Sequence, residues 1–139
     1  MNRYCASVAA GLRATRCIAV SPFGEDAIYV GGFDNSLAPT TNSAWIALGN
    51  GNGTFSPAQS VATGNVPHGL AALDVDGDAD WDVCTANTGG NNISLTLNNG
   101  SGVFGAAVNF DGGGSGEYGL ASGDMNNDGI MDLVVGARI

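Results

Sequence analysis

A chain of 139 residues with 44% hydrophobic content has room for one domain with a real core, which excludes a disordered acidic tail. Its net charge of -9 argues against nucleic acid and anionic membrane as partners, and no apolar run is long enough to span a bilayer. Only 12% of the residues are charged while 23 are glycine, a balance of short strands and tight turns that favours an all-β class.

Taken in chain order, residues 1–16 form an N-terminal segment whose apolar run is too weak for a signal peptide. The chain is therefore expected either to lack secretion information or to be a piece of a longer protein. Cys5 and Cys17 can pair, which leaves Cys84 over, and spacing does not fix that connectivity. Cys84 sits in WDVCTA and reads as a small buried apolar residue. Residues 17–65 read as a degenerate unit: CIAV from Cys17, then SPFGEDAIYV, SAWIAL and FSPAQSV.

Residues 66–115 read as a complete unit. Gly69 to Leu73 is a short apolar strand, and an aspartate-rich loop follows. Trp81 to Ala86 is a second strand, Thr88 to Asn92 a polar turn, and Ile93 to Leu97 a strand that alternates apolar and polar residues. NNGSG makes a glycine-rich hairpin before a fourth strand over Val103 to Phe110. Residues 116–139 repeat the first two strands and their loop.

The repetition can be read directly. GLAALDVDGDADWDVCTA from Gly69 aligns with GLASGDMNNDGIMDLVVGA from Gly119 at an offset of 50. WIALGNGNGTFSPAQSV from Trp45 aligns with SLTLNNGSGVFGAAVNF from Ser94 at an offset of 49. Four antiparallel strands in about 50 residues describe a β-propeller blade, so the expectation is an all-β chain of antiparallel four-stranded blades, about two and a half of them.

The acidity is local, because eight of the 13 acidic residues lie in two nine-residue windows, Asp74 to Asp82 and Asp124 to Asp132. In the first, DVDGDADWD, the side chains at positions 1, 3, 5 and 9 are Asp74, Asp76, Asp78 and Asp82, with the Asp80 carbonyl at position 7. Oxygen donors at alternate places let a curling loop aim several at one ion, the same economy that an EF-hand loop uses for calcium. The second, DMNNDGIMD, offers Asp124, Asn126, Asp128 and Asp132, with the Ile130 carbonyl at position 7. Gly129 stands at position 6, where a sharp turn wants a positive φ; the first loop has Ala79 there, at a cost of roughly 1 kcal/mol if that residue is left-handed. Position 8 is apolar in every copy (Ile28, Trp81, Met131), as packing between neighbouring units requires. In the degenerate copy Ser21, Phe23, Glu25 and Tyr29 occupy the ligand places, and with Glu25 the one carboxylate among them no calcium is expected there.

The pattern DxDGDxDxD, a short apolar strand and LxNGxGxF resembles the VCBS and FG-GAP type repeats of integrin alpha propeller heads, fungal propeller lectins and bacterial surface proteins. The resemblance covers roughly Cys17 onward. It implies propeller blades, calcium on the two aspartate loops, and an extracellular or cell-surface location. It does not fix a function, because this fold hosts adhesins, lectins, lyases and filament proteins alike.

No enzyme is expected. The single histidine, His68, has no Ser, Cys or carboxylate placed by sequence as its partner. In an up-and-down blade the turns opposite the calcium loops carry His68, Asn87, Asn91, Glu117 and Tyr118, a set of aromatic and polar groups suited to a glycan or a protein loop. Two functions compete. One is a calcium-stabilised binding module for adhesion or for glycan or protein ligands. The other is a structural subunit that joins further copies of itself head to tail in a ring or filament, unless the rest of a longer propeller completes it.

Overall fold

The structure is a computed structural model that describes residues 28–31, 42–50 and 56–138. The expectations for Cys5, Cys17, Ser21, Phe23 and Glu25 lie outside the described residues, as do those for the side chains of Ile28 and Tyr29.

The described chain is all-β and every strand pairing is antiparallel. The first sheet holds β1 (Ile28–Gly31), β2 (Ser43–Leu48) and β3 (Gln59–Ala62) in chain order. The second holds β4 (Pro67–Leu73), β5 (Asp82–Asn87), β6 (Asn92–Thr96) and β7 (Val108–Phe110), again in chain order. The third pairs β8 (Ser115–Gly123) with β9 (Asp132–Arg138). Each sheet keeps its strands in chain order, and in the second a tight turn at 88–91 joins β5 to β6.

The second sheet lies between the other two, and its middle strand shows it. β5 is buried along its whole length. Side chains alternate across a strand, and cross-strand partners share a face. Val83 joins the core cluster of Ala44, Ile46 and Val61 from the first sheet, with Leu48, Leu70, Trp81 and Phe104 packed against it. On that face the Gly64 amide donates to Ser94 Oγ at 2.8 Å, and Gln59 Nε2 donates to the Gly102 carbonyl at 2.6 Å. On the other face β8 crosses β4 and β5. Gly69 permits that crossing: a Cβ there would stand 2.6 Å from the Tyr118 carbonyl oxygen and 3.0 Å from Gly119 Cα, so any other residue would push the strands apart. Ser122 Oγ donates to the Ala72 carbonyl across the same contact.

Three boundaries differ from expectation. The fourth strand was expected over Val103 to Phe110, but β7 starts at Val108, and Phe104 joins its partner by a single bridge to Asn98. The intervening Gly105, Ala106 and Ala107 lack the branched side chains that fit a pleated surface. Trp81 falls just before β5, packed on the core. His68 and Tyr118 lie inside β4 and β8 instead of in the links, because each strand carries a register shift at that point, Pro67/Gly69 and Ser115/Gly119.

Candidate metal centre

Asp74 follows β4 and Asp82 opens β5, so the first aspartate loop is a tight connection between antiparallel neighbours. Its carboxylates fold it. Asp74 Oδ1 accepts the Gly77 amide at 2.7 Å and Oδ2 accepts the Ala79 amide at 3.0 Å, which curls the chain around that side chain. Asp76 Oδ1 accepts from Asp78 N at 3.3 Å, and Asp78 Oδ1 accepts from Asp80 N at 2.9 Å. The result brings three carboxylates together: ligand oxygens of Asp74, Asp76 and Asp78 all lie within 4.8 Å of one another. Oxygens bound to one calcium at 2.3–2.6 Å can be at most about 5 Å apart, so the triad fits a single ion of that kind. The donor set is oxygen alone, which suits a hard cation.

Two further aspartates also shape the loop. Asp80 turns its carboxylate against Gly100, where a Cβ would stand 2.5 Å from Oδ2, which leaves its carbonyl as the group assigned to position 7. Asp82 is 0% exposed and closes the base of the loop, accepting from Val75 N and Asn98 N, each at 2.9 Å. Burial raises the Asp82 carboxyl above its ordinary value, the two amide hydrogen bonds oppose that shift, and the charges of Asp76 and Asp78 add to it. Asn98 belongs to the NNGSG turn of the next hairpin, and its part in the loop was not foreseen. The signal available was the recurrence of that glycine-rich turn 49 residues apart.

The second loop is closed by the same kind of bonds at the same offset, with the Oδ1 of its first aspartate accepting one position later than in the first loop. Asp124 Oδ2 accepts from Gly129 N at 3.0 Å and Oδ1 from Asp128 N at 3.2 Å. Asn126 Oδ1 accepts from Asp128 N at 2.9 Å, Asp128 Oδ1 from Ile130 N at 2.8 Å, and Asp132 Oδ2 from Met125 N at 2.8 Å. Both loops turn through positive φ at positions 4 and 6: Gly77 (79°) and Ala79 (72°) in the first, Asn127 (60°) and Gly129 (87°) in the second. Each loop thus has one glycine and one strained side chain, at exchanged places. Among the described residues Arg138 is the one Lys or Arg. It ends β9, the strand that Asp132 opens, so it stands at the far end from the acidic loop.

The residues expected at the opposite end divide into two groups. His68 and Tyr118 stack with ring centroids 3.6 Å apart, and Arg138 Cζ lies 6.0 Å from the Tyr118 centroid, so Arg138 joins a cluster that the sequence did not indicate. Tyr118 is exposed, and Asn91 Oδ1 accepts from Gly116 N at 2.7 Å. Asn87 and Glu117, read from sequence as surface groups of that face, are instead fully buried. Asn87 Nδ2 donates to Asn92 Oδ1 and Ser94 Oγ, each at 2.8 Å, inside the contact between the first two sheets.

An all-β chain of antiparallel sheets with twin acidic loops, each joining two neighbouring strands, is the class that fold and site define. Residues 74–135, just under half of the chain, match the family model of the FG-GAP-like repeat, which supports the FG-GAP family for this stretch. No curated protein and no solved structure matches the chain.

Proposed function

We propose that this chain is a calcium-binding repeat module of an extracellular or cell-surface protein, in which calcium stabilises propeller-type blades that serve adhesion or the binding of a glycan or protein. The observation that carries the reading is the triad of Asp74, Asp76 and Asp78, with donor atoms within 4.8 Å of one another and Arg138 the one Lys or Arg among the described residues. Three like charges this close oppose the tight turn they sit on, and a divalent cation reverses that sign. Asp74, Asp76, Asp78 and Asp82 with the Asp80 carbonyl would hold one ion; Asp124, Asn126, Asp128 and Asp132 with the Ile130 carbonyl would hold another. Bound calcium supplies charge neutralisation and a rigid link between β4 and β5, and between β8 and β9; it activates no substrate, and the chain is not an enzyme. Exposed Tyr118, stacked on half-buried His68 with Arg138 beside it, offers aromatic and polar groups to a sugar or a protein loop.

Melting curves in excess chelator and in calcium test this reading. Calcium at a hundredfold excess over its Kd stabilises the fold by about 2.7 kcal/mol for each loop. A melting curve that chelator leaves unchanged removes the proposal.

A second reading, a structural subunit that packs head to tail on further copies, is favoured by β9. Val134 is 44% exposed, whereas Cys84, at the matching place in β5, is 4% exposed beneath β8. Light scattering separates the readings: ordered polymers without ligand preference support the subunit, and glycan-array binding by a species of defined size supports the binding module.

A further inference from the structure

Glu117 lies in β8, away from both aspartate loops, and is 0% exposed with no hydrogen-bond partner at either Oε1 or Oε2. A buried carboxylate without partners is among the least tolerable groups in a fold, so something must compensate it. The described residues do not supply a counter-charge: Arg138 is their one Lys or Arg, and its guanidinium lies over the Tyr118 ring. Nor does the fold need an acid here. Fifty residues earlier the corresponding place in β4 is Pro67, equally buried and uncharged.

The surroundings favour an ion. The glycine-rich turn after β7 lies directly over the carboxyl: a Cβ on Gly112 would stand 2.6 Å from Glu117 Cγ and 3.0 Å from Oε1. A side chain at 112 would have to displace Glu117, so with glycine there bare main chain lies against the acid. The strand on either side is fixed, with Thr88 Oγ1 donating to the Glu117 carbonyl at 3.1 Å and Gly116 N to Asn91 Oδ1 at 2.7 Å, which keeps the carboxyl turned inward. A carboxylate without a partner, closed from solvent beside bare main chain, is a setting for a small hard cation coordinated by oxygen.

We infer that Glu117 is the anchor of a separate cation site, enclosed by the turn at Gly112 and independent of the two aspartate loops. The site takes an oxygen-coordinated metal ion of the calcium type.

The test is calorimetric titration of calcium chloride into the full chain in metal-free buffer, comparing wild type with Glu117→Gln and Glu117→Met, with circular dichroism to check that both variants fold. Each variant is expected to bind one ion fewer than wild type, while Asp78→Ala still removes its own ion in either background. Failure of the aspartate loops as sites would leave this difference between wild type and Glu117→Gln in place, so the two ideas fail separately. An unchanged ion count overturns the inference, and variants that then melt above wild type in calcium show the result expected on deleting an uncompensated charge. An unchanged ion count with lost self-association in light scattering also overturns it, and assigns the acid to a basic side chain of a second copy.

Discussion

Asp82 and Asp132 hold the same position in successive repeats, yet they are not equivalent. Each accepts the amide of the residue seven places before it, Val75 at 2.9 Å and Met125 at 2.8 Å. Asp82 is fully buried and accepts a second amide, that of Asn98, where Asp132 is only half-buried. Removing Asp82 therefore orphans two main-chain donors at the base of the loop. Without calcium, Asp82→Ala should destabilise by about 3 kcal/mol and Asp132→Ala by about 1 kcal/mol. Urea denaturation in chelator reads both, and equal losses would show that the Asn98 contact contributes nothing.

The exchanged glycines predict opposite signs at one loop position. Ala79 has φ 72° where its counterpart Gly129 has 87°. Ala79→Gly should stabilise the chain by about 0.5–1 kcal/mol, and Gly129→Ala should destabilise it by about 1 kcal/mol. The shift of the urea midpoint at constant slope decides both.

The approach of β4 to β8 depends on Gly69, whose missing Cβ leaves room for the Tyr118 carbonyl. Gly69→Ala is expected to cost about 3 kcal/mol, since the obstacle is main chain and cannot rotate aside. Thermal denaturation measures it, and a loss below the error of the experiment would contradict the contact.

Cys84 gives a pH dependence. Burial, with the charge of Asp82 second, pushes its thiol from 9.0 up to about 11. Below the unfolded value both states keep the proton, so the contribution is fully present. Above it only the unfolded chain releases the proton, and stability falls by up to about 1.4 kcal/mol per pH unit until the folded thiol also ionises. Between pH 9 and 11 the wild type should lose stability faster than Cys84→Ala, and parallel curves would contradict the assignment.

The two aspartate loops were legible because their information is local: alternate oxygen donors, a glycine or small residue at each turn, and a fixed offset of 50 between copies. The burial of Cys84 was legible from its apolar run. What the sequence hid depends on contacts between sheets. Asn87 and Glu117 sit beside turns, where polar residues usually meet solvent, and the packing of the first sheet and of β8 against the middle sheet buries them. His68 and Tyr118 looked like link residues because a register shift inside a strand leaves no mark in an apolar pattern. The late start of β7 follows from Gly105 to Ala107, too small to hold an edge strand in place.

The most direct test of the account is calcium titration of wild type beside Asp78→Ala and Asp128→Ala. Asp78 belongs to the triad within 4.8 Å, and Asp128 is its counterpart in the second loop. Each substitution should lower the number of bound ions by one and leave the other loop's ion in place, with a matching loss of calcium-dependent melting temperature. Ion counts and melting curves identical to wild type in both variants would contradict calcium binding at the aspartate loops.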